Sequence, residues 1–418
     1  MKEEEILLCN MLKATLYSEE NSSESGVLSD LYSSFLTAGE EKLNKVVDIA
    51  LKHSVLPFLF NIFETVSDLE CFDVVQRKTM QTVQQSYHLL ILSAFVTKLL
   101  KKNNIKSVVL KGCAAACYYP VPEYRKSGDI DLLFRDLKDT EAACGILCAN
   151  GFRLKGEQHA NHHIACVSPD GIDIELHSML SEPFDNMHVN EYLKGIQYEF
   201  IDNMEEKEIM GITLPVSAMP YNAFYLLIHM LQHFLRSGFG LKLLCDWAVL
   251  LNSGIKKGDI DIFLRMVNDS GIYGFTEVVT SVCVCYLGLD SSRALDIIKN
   301  LGHEKYAAGD KKFKLINDKA EQFIDEVFEA EEFGKSSADR MVVMRGTGIA
   351  AYVREFHHQM CLTYPKACKI IIIWPFLWIM MFVGFFYRNK KIRNVSGTAI
   401  IKKAAKRSRL AGEMKLFK

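Results

Sequence analysis

Apolar residues recur at helical spacing over most of the chain, and a stretch in its middle departs from that pattern. In residues 1–80, and again from about Pro220 to Ala330, apolar side chains stand three or four positions apart, which predicts helices. Residues 81–205 instead combine short apolar runs with turns and helical segments, which predicts a mixed α/β unit. The pattern therefore predicts an α+β protein: a small mixed β-sheet core flanked by helices, an additional helical domain, and a hydrophobic, then basic, C-terminal segment.

Changes in composition indicate where the chain divides. A polar break lies at Ser18–Ser29, and the acidic run Asp325–Glu332 precedes a short link at Gly334–Ser337. We expect five parts: an N-terminal helical region at 1–80, the α/β core at 81–205, a helical domain at 206–335, a linker or helix at 336–366, and a hydrophobic segment with a basic tail at 367–418.

The elements of the α/β unit follow from the same pattern. The Asp170-Gly171 dipeptide is a strong turn signal and predicts a hairpin. The predicted elements are helix Tyr87–Lys102, strand Ile105–Leu110, helix Leu137–Asn150, a strand near Phe152–Lys155, and hairpin strands His163–Val167 and Ile172–Leu176.

Two carboxylates stand two residues apart in the apolar stretch Ser127–Phe134 (SGDIDLLF). Asp129 and Asp131 would share one face of a strand, because strand side chains alternate. Neighbouring carboxylates repel each other unless a cation lies between them. Mg²⁺ prefers oxygen ligands and bridges phosphate oxygens, so the pair predicts metal-dependent chemistry on a nucleotide. A solvated strand end is the plainer alternative.

The turn before this strand adds groups that suit a phosphate. The predicted strand Ile105–Leu110 ends in Lys111-Gly112, after which small residues resume a helix and leave backbone N–H groups available. Lys111 is either a phosphate contact or a surface charge, whereas Arg125 offers a planar fork for phosphate oxygens. This ordered set favours catalysis over a solvated strand end.

A third carboxylate is needed if two metals are to be held. On the second hairpin strand, Asp173, Glu175 and His177 alternate with apolar residues and share one face. By the residues alone, either acid completes the metal site. His177 orients a carboxylate, contacts the substrate, or does neither.

Together these residues resemble the bacterial uncharacterised nucleotidyltransferase family, which belongs to the DNA polymerase β-type superfamily. The resemblance rests on Val109–Leu133, V-L-K-G…Y-Y-P…R…G-D-I-D-L-L, and on I-E-L-H at Ile174–His177. It implies that the core is a nucleotidyltransferase core. One departure is the first motif, which is Lys111-Gly112 followed by Cys113, whereas the superfamily usually has Gly-Ser or Gly-Gly there.

The resemblance also implies roles for individual residues. The catalytic and metal-binding carboxylates would be Asp129, Asp131 and Glu175, since the family places its acid two residues before the His. The nucleotide-binding residues would be Lys111, Gly112, Arg125 and His177.

The implied reaction transfers a nucleoside monophosphate from an NTP to an acceptor and releases pyrophosphate. Mg²⁺ or Mn²⁺ would activate the acceptor hydroxyl and steady the triphosphate, with no Ser or Cys nucleophile. The acceptor is unidentified, and a small molecule or a glycan is favoured. The alternatives are a catalytically silent nucleotide-binding relative and a membrane-associated scaffold or regulatory protein.

The predicted helical domain contains two histidines at helical spacing. His229 and His233 stand four residues apart on one helix face, and Asp246 follows on the next predicted helix. The resemblance includes such a set, which would ligate a metal or contact the nucleotide. Packing or hydrogen bonding is the commoner role for paired helical histidines.

The net charge and the cysteines indicate the class of partner and the cell compartment. The formal charge of the 418-residue chain is −2, so we expect no sequence-specific nucleic acid partner. The twelve cysteines show no zinc-ligand spacing. With no signal peptide at the N-terminus, they predict a cytoplasmic protein.

The C-terminal region combines an apolar run with a basic tail. Ile370–Tyr387 is eighteen residues without a charge, about 27 Å as a helix. From Arg388 to Lys418 there are eleven Lys/Arg and one acid, a net charge of +10, which leaves −12 on the remainder. Three alternatives remain: the run docks on an anionic membrane surface at the inner face together with the tail (370–418), it is buried against the helical domain or a second copy, or it spans the bilayer.

Overall fold

A computed structural model describes residues 1–17, 35, 38–155, 163–236, 238–299, 301, 311–330, 349–364, 367–392 and 397–417. The polar break predicted at Ser18–Ser29 and the link predicted at Gly334–Ser337 lie outside the described residues.

Helices form most of the described chain, and the strands lie in its middle. The helices up to the last strand are α1 (Glu3–Thr15), α2 (Glu40–Lys52), α3 (Phe60–Glu64), α4 (Glu70–Lys102), α5 (Gly112–Ala116), α6 (Leu137–Ala149) and α7 (Met187–Asp202). The strands are β1 (Val108–Leu110), β2 (Asp129–Leu133), β3 (Arg153–Leu154), β4 (His163–Val167), β5 (Asp173–His177), β6 (Met204–Ile209) and β7 (Ile212–Ser217). The later helices are α8 (Met219–Arg236), α9 (Leu241–Asn252), α10 (Lys257–Asp269), α11 (Tyr273–Leu287), α12 (Ser291–Ile298), α13 (Lys311–Ala330), α14 (Ile349–Thr363), α15 (Trp374–Ile392) and α16 (Gly397–Glu413).

The strands make one mixed sheet in the order β3-β4-β5-β2-β1-β7-β6. Strand β2 pairs antiparallel with β1 and parallel with β5, while β1 pairs parallel with β7. Strands β1 and β2 lie at the centre of the sheet and are almost wholly buried, which explains why all three residues of β1 and three of the five residues of β2 are apolar. The α+β fold class predicted from the sequence is confirmed.

The sheet and the helices form two hydrophobic clusters. One cluster joins residues of β1, β2 and β5 with α4 and α6. The other joins α1–α3 with α8–α11, and it includes residues near the C-terminus such as Leu410 and Met414. The N-terminal helices therefore pack with the later helical region, although more than 150 residues separate them along the chain.

One hairpin was not predicted. Strands β6 and β7 pair antiparallel around a turn at Met210-Gly211, where both residues have positive φ values, 51° and 77°. Four of the six residues of β6 are charged and only Ile209 is buried, so its sequence lacks the alternation typical of strands. The sheet consequently extends past residue 205, and the predicted boundary at 80/81 falls inside the long helix α4. The five-part division itself stays a prediction.

The C-terminal segment contacts the helical region in two ways. Phe417 donates its backbone N–H to the carbonyl of Gly271, at an N···O distance of 2.7 Å. On α16, Arg407 pairs with Glu326 of α13, and Lys406 Nζ lies 3.1 Å from Glu329 Oε1. Part of the predicted basic tail is therefore neutralised by acids of the same chain. Among the described residues, no helix combines the length and apolarity needed to cross a bilayer.

Candidate active site

Parallel pairing of β2 with β5 brings the predicted carboxylates together. Asp131 lies opposite Glu175 in the register, and Asp129 lies opposite Asp173. Residues opposite each other on neighbouring strands point to the same face. Ligand oxygens of Asp129, Asp131 and Glu175 all lie within 4.8 Å of one another, so the three carboxylates form one cluster.

Solvent access differs across this carboxylate cluster. The side chain of Asp131 is 0% exposed, whereas Asp129 and Glu175 are 39% and 33% exposed. Asp131 thus lies at the floor of the cluster and the other two acids at its open side. Burial raises the pKa of Asp131, and the charge of Asp129 adds to the increase, although Lys111 and His177 oppose it.

Lys111 reaches the carboxylates from the end of β1. Its Nζ lies 3.0 Å from Asp131 Oδ1 and 3.8 Å from Asp129 Oδ2. The backbone of Lys111 has φ +33° and ψ −145°, a strained conformation for a residue with a side chain. Gly112 follows at φ +44°, in the left-handed region that favours glycine. The strained turn holds a cation at the position where the sequence predicted a phosphate contact.

His177 contacts two of the three acids. Its Nε2 lies 2.9 Å from Asp131 Oδ1 and 3.4 Å from Glu175 Oε2. Burial lowers the pKa of His177, but the hydrogen bonds to both acids outweigh it and raise that pKa to about 9. Burial likewise opposes ionisation of Glu175, yet His177 and Lys111 hold the pKa of Glu175 well below its usual range. At neutral pH His177 is therefore protonated and Glu175 is ionised.

One atom of this cluster lacks a partner. Asp131 Oδ2 is buried and has no hydrogen-bond partner. A buried carboxylate oxygen left this way costs free energy, and a cation at the cluster would satisfy it. Three carboxylates supply the hard oxygen ligands that Mg²⁺ and Mn²⁺ prefer. The residues present therefore fit a divalent metal ion held by Asp129, Asp131 and Glu175.

In metal-free protein, replacing His177 by glutamine should destabilise the fold at low pH much more than at high pH. The pKa of folded His177 is raised from 6.5 to about 9, so its stabilising contribution is complete below pH 6.5 and is lost as the pH rises through 9. The difference between wild type and His177→Gln should shrink by on the order of 3 kcal/mol across this range. Urea unfolding of both proteins in EDTA, at low and at high pH, measures this difference in the free energy of unfolding. An equal difference at both ends would show that protonation of His177 does not stabilise the fold.

Arg125 is buried and pairs with Asp246 rather than with an acid of the carboxylate cluster. Its Nε and Nη2 donate to Asp246 Oδ1 and Oδ2 at 3.0 and 2.7 Å, and Nη1 donates to Ser127 Oγ at 2.5 Å. Tyr119 donates its hydroxyl to the same Asp246 at 2.7 Å. The guanidinium is buried and its fork is filled by Asp246, so the geometry gives Arg125 a positioning role at the entrance to β2. A phosphate contact for Arg125 stays a prediction.

The two histidines of α8 lie beside each other rather than beside Asp246. The ring centroids of His229 and His233 are 4.4 Å apart, and the ring of Tyr225 stacks on His229 at 6.1 Å. Burial lowers the pKa of both histidines, that of His233 to about 3, and the charge of Lys111 contributes. Both histidines are therefore neutral at physiological pH, and Asp246 does not join them because it binds Arg125.

The remaining predicted residues are placed as follows. Asp173 lies on the same face as Glu175, but its Oδ2 is 2.5 Å from Lys155 Nζ at the surface. The geometry therefore favours Glu175 as the third carboxylate. Gly112 begins α5, a buried helix of only five residues. A phosphate contact at Gly112 stays a prediction.

Sequence reasoning missed one positioning residue. Gln197 of α7 is buried, and its Nε2 donates to the carbonyl oxygens of Phe134 and Ser178 at 2.9 Å each. Those carbonyls directly follow β2 and β5, so one amide ties the ends of the two strands that carry the acids. The sequence signal that could have found Gln197 is a polar residue among the apolar positions on the buried face of α7.

Comparison with known proteins identifies the family. A sequence profile described as an uncharacterised nucleotidyltransferase matches residues 39–288. The chain belongs to this uncharacterised nucleotidyltransferase family. The family expected from the sequence is thereby confirmed, whereas the match does not address a bacterial origin. No curated protein matches the sequence.

One solved structure is similar to part of this nucleotidyltransferase family member. It is the crystal structure of an antigenic nucleotidyltransferase-like protein from Paracoccidioides brasiliensis, 14% identical, with 43% of this chain and 87% of that chain covered at a TM-score of 0.30. A similarity at this level carries no argument about the site. The family assignment supports a transferase, and the described acids can bind a metal.

Lys111 competes with any metal for Asp131, which gives a testable consequence. In EDTA, Lys111→Met should lower the free energy of unfolding by about 3 kcal/mol, because it removes one of the two cations that neutralise the buried carboxylate of Asp131. Added Mg²⁺ should stabilise Lys111→Met more than wild type. The matched control is Lys155→Met, since Lys155 pairs with surface Asp173 and its loss should cost below about 1 kcal/mol with no Mg²⁺ effect. If Mg²⁺ stabilises neither protein, the cluster does not bind a metal.

Proposed function

We propose that this protein is a metal-dependent nucleotidyltransferase that moves a nucleoside monophosphate from an NTP to a hydroxyl acceptor. The observation that carries this proposal is the cluster of Asp129, Asp131 and Glu175, whose ligand oxygens lie within 4.8 Å of one another, with the buried Asp131 Oδ2 unpaired. The family to which the chain belongs supports the reaction class.

The chemistry needs charge neutralisation and positioning rather than a protein nucleophile. The acceptor oxygen forms a bond to the α-phosphorus, the bond from that phosphorus to the pyrophosphate oxygen breaks, and the hydroxyl proton passes to solvent or to a carboxylate. A bound divalent metal would supply Lewis-acid stabilisation of the phosphate oxygens and a lowered pKa for the acceptor hydroxyl. Among the described side chains at the cluster, none serves as a nucleophile in this scheme.

The chain's own residues hold this arrangement in place. Rigid strands β2 and β5 carry the three acids, and pairing along the whole of both strands fixes their spacing. His177, hydrogen-bonded to Asp131 and Glu175, orients both carboxylates. Lys111, at 3.0 Å from Asp131, neutralises the cluster before substrate binds and would contact a phosphate if the carboxylates held a metal. Lys111 would then have two roles in one catalytic cycle, first as the counterion of the carboxylates and then as a phosphate contact.

A catalytically silent nucleotide-binding protein is the second candidate, and one observation favours it. Lys111 already lies between Asp129 and Asp131, where a cation would bind. If the lysine permanently replaced the metal, the fold would bind a nucleotide without turning it over. Adding Mg²⁺ to the wild type separates the two, because a lysine that permanently replaced the metal would leave the wild type without a Mg²⁺-dependent gain in stability, even if Lys111→Met gains stability.

The test of the proposed activity is transfer of label from α-³²P-labelled NTPs. Each of the four NTPs is incubated with Mg²⁺ or Mn²⁺ and a panel of sugar, glycan and small hydroxyl acceptors. Transfer requires a labelled product and an equal amount of released pyrophosphate. Release of labelled nucleoside monophosphate to water alone, or no release from folded protein with any acceptor class, would contradict the proposed transfer to these acceptors.

A further inference from the structure

A stripe of large apolar side chains on α15 and the turn before it faces solvent. The exposed fractions are 90% for Ile372, 65% for Phe376, 62% for Ile379 and 60% for Val383. On a helix, positions spaced by three and four residues lie on one face. Ile370, Ile371, Met380 and Phe382 are also exposed. We call these eight residues the apolar stripe.

The other side of the same helix is packed. Leu377 is buried, and the ring of Trp374 lies 4.4 Å, centroid to centroid, from His357 on α14. The indole N–H of Trp374 donates to the carbonyl of Cys368 at 2.7 Å. The helix is therefore anchored by one face, and its apolar stripe is not needed for that anchoring. Burial of the whole segment against the helical domain, one alternative from the sequence, does not describe this exposed face, whereas burial against a second copy stays a prediction.

Positive charge borders the apolar stripe along the chain. Lys369 precedes it and is exposed. Arg388, Lys390 and Lys391 follow it within the same helix. A run of apolar residues with cations at its ends matches a bilayer surface, where acyl chains accept the apolar side chains and anionic headgroups accept the cations.

Three cations near the C-terminal end of the tail form ion pairs with acids of the same chain. Lys406 and Arg407 are bound by Glu326 and Glu329, and Arg409 Nε lies 3.5 Å from Glu413 Oε1. These three cations already have acidic partners within the chain. The proposal therefore assigns the attraction to anionic lipid to the cations next to the apolar stripe and not to these three.

We propose that the apolar stripe docks on the surface of an anionic bilayer, with α15 lying in the interface. We commit to lipid as the occupant because the stripe carries large apolar residues, with no acid between Lys369 and Lys391, and because anionic headgroups complement the flanking cations. Docking of this kind requires no helix that crosses the membrane. Salt should weaken it, since the headgroup attraction is electrostatic.

Cosedimentation of the full-length protein with vesicles tests this proposal. The wild type should bind phosphatidylcholine–phosphatidylserine vesicles, and bind phosphatidylcholine alone more weakly. Phe376→Asp/Ile379→Asp should weaken binding at least about tenfold, because two apolar side chains in the interface become charged. The matched control is Ile91→Asp/Phe95→Asp, which changes an Ile and a Phe on α4 that are also more than half exposed, at 57% and 51%. The control should bind as the wild type does.

Two further measurements keep the proposal open to refutation. Ile372→Asp changes the most exposed residue of the apolar stripe and should also weaken vesicle binding. This single variant gives a result even if the double variant has a folding defect. Analytical ultracentrifugation reports self-association. If wild type fails to bind anionic vesicles, or if Phe376→Asp/Ile379→Asp only converts a dimer into a monomer, the stripe is not a lipid surface.

Discussion

Replacing Asp131 by asparagine should reduce nucleotidyl transfer by roughly 10³-fold or more while leaving the protein folded. Asp131 is the buried member of the cluster, and it contacts both Lys111 and His177. Asparagine keeps the size of the side chain but removes the negative charge that would hold a metal and position these cations. The transfer assay with α-labelled NTP measures the loss, and circular dichroism checks the fold.

Asp173→Asn is the matched control for this prediction. Asp173 lies on the same face of the sheet, two residues from Glu175, but it pairs with Lys155 at the surface. Its replacement should change transfer by less than about threefold, because surface ion pairs contribute little. A large loss in Asp173→Asn with little loss in Asp131→Asn would show that Asp173, and not Asp131, belongs to the catalytic site.

Asp246→Ala should lower the free energy of unfolding by about 3–5 kcal/mol, because it leaves the Arg125 guanidinium buried without its carboxylate. The two side chains are only 4% and 1% exposed and share two hydrogen bonds. Tyr119 loses its acceptor in the same variant. Urea unfolding of the full-length protein measures the change.

Asp202→Ala provides the comparison for a surface pair. Asp202 Oδ2 lies 3.2 Å from Arg135 Nη2, but both side chains are nearly half exposed, so the loss should stay below about 1 kcal/mol. If Asp246→Ala does not fold, the double variant Arg125→Met/Asp246→Leu should recover much of the stability, since it removes both charges. Equal costs for Asp246→Ala and Asp202→Ala would refute the structural role of the buried pair.

The sequence predicted the parts of the site that depend on local geometry. Asp129 and Asp131 share a face because strand side chains alternate, and the same argument places Glu175 with His177. The Asp170-Gly171 turn predicted the hairpin of β4 and β5, which the structure contains. Family motifs favoured Glu175 over Asp173 before any contact was known.

Long-range contacts could not be predicted in the same way. Which strands pair, and in what register, depends on packing between segments far apart in the chain, as for Asp131 and Glu175. Arg125 faces inward because of Asp246, 121 residues away, and no local pattern signals that partner. Strand β6 was missed because its exposed face is charged and its turn is Met-Gly rather than Asn-Gly or Asp-Gly.

Titration calorimetry of NTP binding, with and without Mg²⁺, tests the central claim most directly. It is done on wild type and on Asp129→Ala/Asp131→Ala, with Asp173→Ala as the matched control. We predict that wild type and Asp173→Ala bind an NTP only when Mg²⁺ is present, and that the double variant does not bind it. Binding that is independent of Mg²⁺ and unchanged in the folded double variant would contradict a metal-dependent nucleotide site at this cluster.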